Sequence, residues 1–323
     1  MFSKWKIDKM FLFWTVVLMV SGFFIFSSAS LGLLARSGSQ YSSVTFSQTF
    51  LGLLLGSIAM IITAKVDYKV WKKTAFWLLS VGIILNILVL FPQIGVEHGG
   101  ARRWFEIGGV SFQPAEILKL AFVVYFAAFA AGMKERMKTF KYGFLPLVWL
   151  FLIIGGLLLK QPDTDNFLMI VCAGMAIFLA AGGRWKYIFI VMITAIIAVG
   201  ALAFTRPYIM QRITTFINPS QNAQGSGYQI QQSLIAIGSG GMFGRGFGQS
   251  VQKFNFLPEP IGDSIFAVQA EEFGFAGAST LVLLYVLFAV RGLKIASRVS
   301  EPFGRLSVVG IVIMIVAQAF VNI

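Results

Sequence analysis

Asp263 closes a polar, glycine-rich stretch and stands directly before an apolar segment that carries two adjacent carboxylates, Glu271 and Glu272. The run is YQIQQSLIAIGSGGMFGRGFGQSVQKFNFLPEPIGDSIFAVQAEEFGFAG, residues 228–277. A lone carboxylate at such a boundary is a candidate general base, able to take a proton from an attacking hydroxyl. Arg102, Arg103, Lys119 and Lys160 are candidates for holding a diphosphate, with arginine offering two parallel donors to one anion. Asp163, Asp165 and Asp263 carry the oxygen ligands that a hard divalent cation such as Mg or Mn prefers, although their spacing is no metal signature. The GSGGMFGRGFG run adds backbone freedom and N–H groups that can approach a phosphate closely. His98 is the single histidine and Cys172 the single cysteine. A histidine-based zinc site, a histidine-dependent triad and an intrachain disulfide are thereby excluded.

Charges inside apolar runs are the second signal. Glu116 and Lys119 are three residues apart, on one face of a helix, and can pair. Such a pair either locks helices together or faces a polar cavity, because isolated charges are costly in hydrocarbon. Glu271 and Glu272 point in different directions around their helix, so one of them is expected to face a cavity.

The elements that must position these residues are membrane helices. The chain has 323 residues, of which 57% are hydrophobic and 12% charged, with a mean hydropathy of +0.81. A soluble domain carries about twice that charged fraction. Apolar runs near the ~20 residues that cross ~30 Å of hydrocarbon recur throughout. They are continuous, whereas barrel strands alternate over ~10 residues. The expected fold is an all-α polytopic transmembrane bundle, a single domain over residues 1–323. Spans are predicted at 10–32, 46–64, 74–91, 113–132, 143–159, 167–182, 187–204 and 264–290, with a ninth beginning near Leu306. The first is a retained anchor, long enough to span and lacking a small-residue cleavage site.

Basic residues set the orientation. With the N-terminus cytoplasmic, the short inner segments are densely basic and the outer ones are not, which is the positive-inside pattern. The formal net charge of +13 therefore records topology and contact with anionic lipid, and it argues for no nucleic-acid partner. Three segments then lie outside: 96–116, the short turn 160–166, and a long loop of about 205–263. Most acids fall on or near that side, which places function at the extracytoplasmic face. A loop this long is functional or disordered, and the amphipathic stretch Gln229–Ile237 predicts a short helix within it.

The chain resembles the SEDS proteins of shape, elongation, division and sporulation, and the FtsW branch more than the RodA branch. The resemblance rests on GARRWFEIGGVSFQPAEILKL, on Gln161–Pro162–Asp163, on RITTFINP from Arg212, on GSGYQIQQSLIAIGSGGMFGRGFG, and on SVQKFNFLPE followed by AEEFGFAG. Ser250–Lys253, the SVQK sequence, tilts it toward the division branch. The resemblance implies about nine spans here of the ten in the full family fold. It implies polymerisation of lipid II into glycan strands beside a class B penicillin-binding transpeptidase, in the bacterial inner membrane at the division septum, among other division proteins. The family's essential outer-loop aspartate maps to Asp263. Glu116, Lys119, Arg102, Arg103, Lys160, Asp163, Glu271 and Glu272 are then expected on the substrate side.

Two local departures stand out. Ile261, Gly262 and Ser264 surround Asp263 where many members have His-Thr-Asp-Phe, and Thr164-Asp165-Asn166 follows Asp163 where a hydrophobic residue, glycine and threonine are common. The chain stops within its ninth span, which reads as a fragment. A lipid II transporter or a non-catalytic division scaffold are the rival functions.

Overall fold

In a computed structural model, residues 7–34, 38–98, 100–107, 110–205, 210–211, 214–215 and 227–323 are described. The fold is helical. Among the described residues seven helices are long and apolar enough to cross a membrane, and two shorter apolar ones, Thr164–Ala180 and Trp185–Ile197, occupy the places of the predicted sixth and seventh spans. The chain divides into two compact units, residues 1–61, 190–288 and 322–323 in the first, and 62–189 and 289–321 in the second.

The first unit begins with α1 (Lys9–Leu34) and α2 (Gly38–Phe46), which continues through a wide-turn helix (Ser47–Leu54) into α3 (Leu55–Lys65). Later come α8 (Trp185–Thr205), α9 (Tyr228–Ser239), a loop, and the first half of α10 (Ile265–Arg298). The predicted helix in the long loop is α9. Arg212, Ile213 and residues 216–219 of the RITTFINP motif lie outside the described residues. Ala29, Ala236, Leu257, Ala267 and Val268 form a small buried cluster, so α1, α9, the loop and α10 converge there.

The second unit is built around α5 (Pro114–Met133), which packs against α4 (Tyr68–Leu88), α7 (Thr164–Ala180) and α11 (Pro302–Val321), while α6 (Leu145–Lys160) packs on α7. Local chemistry sets these helix ends. Asp67 caps α4 by accepting from the Lys69 N–H, Asp163 caps α7 by accepting from the Asn166 N–H, and Pro114 stands at the start of α5. Such side-chain oxygens satisfy N–H groups that have no partner within the helix. Phe122, Phe126, Ile154 and Phe178 fill the interior.

The outer segment near residue 100 holds a feature the helical pattern hides. Strands β1 (Gly95–His98), β2 (Ala101–Ile107) and β3 (Val110–Phe112) form an antiparallel sheet in sequential order. Arg102 and Arg103 are adjacent on β2, so they alternate between its two faces.

The candidate catalytic loop and the charges around it

Residues 240–264 form a loop fastened to α10 through the backbone. Gly274, with φ of +66°, interrupts α10. Phe275 and Ala276 donate their N–H groups to the carbonyls of Gly241 and Met242, at 2.9 and 3.0 Å. In exchange, the Glu271 and Glu272 carbonyls accept from Arg245 N and Gly246 N, at 3.0 and 2.9 Å. The loop thus takes over two rungs of the helical ladder, which kinks the helix where a foreign backbone enters. Only glycine fits at 274, since a Cβ there would run into the Gly244 nitrogen and the Met242 carbonyl. The N–H groups of Arg245 and Gly246, expected to be free for a phosphate, are committed to this helix.

Side chains tie the same loop a second time. Lys253 is fully buried, and its ammonium donates to Glu272 Oε1 at 2.8 Å, the Gly248 carbonyl at 2.8 Å and Ser28 Oγ at 3.1 Å. Ser28 Oγ in turn lies 2.6 and 2.7 Å from the two Glu272 oxygens. Glu271 accepts from Ser250 Oγ at 2.6 Å and from the N–H groups of Val251 and Gln252 at 3.1 and 3.2 Å, with Arg245 Nε 3.5 Å away. Both glutamates are therefore buried and engaged, where one was expected to face a cavity. Their 100° separation around the helix is bridged because residues 245–253 wrap across both directions. Gly32 of α1 permits the approach, as a Cβ there would collide with the Lys253 carbonyl oxygen.

Asp263 contrasts with these acids. It is exposed, two residues before α10, and among the described residues its carboxylate has no hydrogen bond or ion pair. The backbone around it is fixed. Ser264 is buried, its N–H donates to the Glu259 carbonyl, and its Oγ lies 3.4 Å from both Gln229 Nε2 and Ser233 Oγ of α9. The upstream anchor is the buried Leu257.

In the second unit, the predicted pair forms. Lys119 Nζ lies 2.9 Å from Glu116 Oε1, with Glu116 half exposed and Lys119 1% exposed. Two further contacts, Gln318 Oε1 at 3.1 Å and Met169 Sδ at 3.6 Å, come from α11 and α7. The two segments predicted to lie outside, 96–116 and 160–166, meet here. Arg103 donates from Nε to the Gln161 carbonyl at 2.8 Å and from Nη2 to the Pro162 carbonyl. Gln161 Nε2 donates to the Asn86 carbonyl at 2.8 Å. Asp163 Oδ2 accepts from Gln113 Nε2 at 3.0 Å and Asn166 Nδ2 at 2.8 Å. Arg102 pairs with Glu97 at 3.0 Å on the surface, and Lys160 and Asp165 are exposed.

Among the described residues no three histidine, cysteine or acidic side chains come together. Asp163 already has amide donors on one carboxylate oxygen. These residues do not fit a prebuilt divalent-cation site. Lys253, Ser250 and Ser28 were missed as members of the site. A signal existed: two acids buried in one apolar segment need cations, and Lys253 and Arg245 are the nearest on the loop preceding them.

The fold and these charges define a polytopic helical membrane protein with an ordered, helix-stitched loop that presents two exposed carboxylates, Glu259 and Asp263, without a hydrogen bond or ion pair among the described residues. The chain belongs to the FtsW/RodA/SpoVE family of cell cycle proteins, which matches residues 8–323. It is 36% identical to stage V sporulation protein E of Bacillus subtilis over 269 residues, covering 83% of this chain and 74% of that protein. It is also 36% identical to the probable peptidoglycan glycosyltransferase FtsW of Coxiella burnetii, over 99% of this chain and 87% of the relative. Among solved structures, a peptidoglycan synthase complex matches 98% of this chain and 87% of its own with a TM-score of 0.76 at 23% identity. A mutant of the rod shape determining protein RodA from Thermus thermophilus matches 98% of this chain and 84% of its own, with a TM-score of 0.66 at 25% identity.

Proposed function

We propose that this chain is a peptidoglycan glycosyltransferase that polymerises lipid II, the undecaprenyl-diphosphate-linked disaccharide peptide, during cell division. The observation that carries the reading is Asp263, an exposed carboxylate unpaired among the described residues, on a backbone held at Leu257 and Ser264. Relatives named as peptidoglycan glycosyltransferases support it. The acceptor's sugar hydroxyl oxygen bonds to the donor's anomeric carbon while the bond from that carbon to the diphosphate breaks. Undecaprenyl diphosphate leaves with the electron pair, and the configuration inverts. Asp263 takes the hydroxyl proton as general base.

Positive charge stabilises the leaving diphosphate, and preorganised cations are the usual dominant electrostatic contribution. Lys160 and Arg102 have donors to offer the substrate. Glu116 sets the charge beside Lys119, and Arg103 and Asp163 act by shaping the Gln161–Asp163 turn. Glu271 and Glu272 act by holding the loop. The partner is a class B penicillin-binding transpeptidase, with the N-terminus cytoplasmic and the septum as the working location.

The test is lipid II polymerisation by the chain with its transpeptidase partner, comparing wild type with Asp263→Asn. Loss of polymer with normal yield and partner binding is the expected result. Normal polymer from the Asn variant removes Asp263 as base. Lipid II transfer across liposomes by wild type, without polymer, replaces the reaction by transport.

A further inference from the structure

The tip of the catalytic loop, Met242 to Gly248, exposes apolar side chains where a water-facing loop carries polar ones. Phe243 is 82% exposed and Met242 60%, with Phe247 exposed beside them. The helix that leads there repeats the pattern. On α9, Ile230, Leu234 and Ile237 share one face and are exposed, whereas Gln229, Gln232 and Ser233 are partly buried. A helix in water turns its apolar stripe to the protein, so α9 is inverted. From Tyr228 to Gly244 the sequence has no charged residue.

Two helices of the same unit measure how deep this surface lies. α1 begins at Lys9, and a hydrocarbon core of ~30 Å takes about 20 residues, which brings its far edge near Ala29. α10 runs alongside. Phe11 stacks on Phe288 at 4.9 Å, and Ser28 meets Glu272 at 2.6 Å. Between these two contacts lie about 26 Å of α1 and about 24 Å of α10, so the kink at Gly274 does not turn α10 away. The junction of Ser28, Lys253 and Glu272 therefore lies at the far edge of the hydrocarbon. Phe275 and Ala276, which hold the tip by its Gly241 and Met242 carbonyls, are ~5–6 Å further in along α10. Phe24, whose ring lies 6.3 Å from that of Phe247, is ~6 Å further in along α1. The tip is thus at acyl-chain depth. Asp263, just before α10 begins, lies about 10 Å to the other side of the junction, at headgroup level.

Irregular backbone survives in hydrocarbon only where its polar groups are paired, and this tip meets the condition. Arg245 N and Gly246 N bond to the Glu271 and Glu272 carbonyls, and Gly244 N to the Gly240 carbonyl. Arg245, the one charge in the tip, reaches back to Glu271 at the junction, as a long cation does below an interface. Exposed Phe275 makes the surface continuous with the spanning face of α10. We propose that the tip is inserted among the acyl chains of the outer leaflet, and that this anchor sets the height of Asp263 against the headgroups. The insertion stands on depth and polarity alone, while its use rests on the glycosyltransferase reading above.

A nitroxide label reads the depth. Phe243→Cys in a Cys172→Ala background replaces a largely exposed side chain, and Glu259→Cys, exposed near Asp263, is the comparison. In nanodiscs, oxygen should relax the label at 243 more strongly than a water-soluble nickel chelate, and the order should reverse at 259. Stronger relaxation by nickel at 243 overturns the insertion. If that nickel access is lost when the class B transpeptidase is added, the face is a protein-docking surface instead. Turnover reads the role of the anchor. Phe243→Asp, a short carboxylate in hydrocarbon, should lose about tenfold in kcat with lipid II affinity kept, and Phe243→Leu, apolar again, should restore it. Phe243→Asp as fast as wild type removes the tip from positioning the base. Insertion in a protein that makes no glycan supports the anchor while counting against the glycosyltransferase reading.

Discussion

Lys253 Nζ lies 2.8 Å from Glu272 Oε1, with the two side chains 0% and 1% exposed. The pair joins the outer loop to α10, and Ser28 adds α1 to the same junction. Every ammonium proton has an acceptor, so the cost of burying the charges is met by specific geometry. Removing one partner leaves the other buried and uncompensated. Lys253→Met or Glu272→Gln alone is expected to destabilise the protein by ~3–5 kcal/mol. The double variant leaves no stranded charge and should recover most of that loss. Thermal unfolding in detergent reads the difference. A double variant no more stable than either single one contradicts the pairing as the source of stability.

The membrane helices were legible because each long apolar run has one physical solution in hydrocarbon. The Glu116–Lys119 pair was legible because both residues lie on one helix, where spacing fixes adjacency. The Lys253–Ser28 contact joins residues 225 positions apart, and no local pattern encodes that return. Lys253 consequently read as one more outer cation. The sheet at 95–112 escaped for another reason: β1 and β3 have only four and three residues, too few to display an alternation, and the adjacent Arg102 and Arg103 interrupt it in β2. Burial of both glutamates depended on a loop crossing the helix, which helical spacing alone argues against.

Arg102 and Arg103 are adjacent in sequence and differ in structure. Arg103 donates to two backbone carbonyls of the Gln161–Pro162 turn, whereas Arg102 makes a surface ion pair with Glu97. Arg103→Ala is expected to destabilise the protein by ~1–3 kcal/mol, the range for charged hydrogen bonds lost to partly buried acceptors. Arg102→Ala should leave the melting temperature nearly unchanged, as exposed pairs contribute little, and weaken lipid II binding instead. Melting curves and binding isotherms on both variants separate the roles. Equal melting temperatures would show that Arg103 does not hold the turn.

Glu301 precedes α11 and joins segments predicted to share the inner side, pairing with Lys72 at 3.0 Å. Partial burial alone would raise its carboxyl pKa. The Gly304 N–H, the Lys72 ammonium and the Phe303 N–H outweigh that and hold it below the usual value. A depressed carboxylate contributes stability above its unfolded pKa of ~4.3 and loses it as pH falls through the lower folded value. Wild type should therefore be more stable than Glu301→Gln at neutral pH, with the gap closing under acid conditions below about pH 4. A gap that stays constant from neutral pH into that acid range would assign the effect to packing.

Asp263 is the residue whose loss should separate chemistry from stability. It is exposed and unpaired among the described residues, so Asp263→Asn removes no native contact and the melting temperature should not move. General-base catalysis contributes typically 10²–10⁴-fold, and kcat for lipid II polymerisation is expected to fall by about that factor. Substrate affinity should be nearly unaffected, because the carboxylate acts on a proton in the transition state and is not a grip on the bound ground state. Asp263→Glu keeps the base on a longer arm and should retain more activity than Asp263→Asn. The order of the two variants is the sharp readout. If Glu and Asn are equally inactive while lipid II binding persists, position matters more than basicity. If both remain as fast as wild type, another group takes the proton.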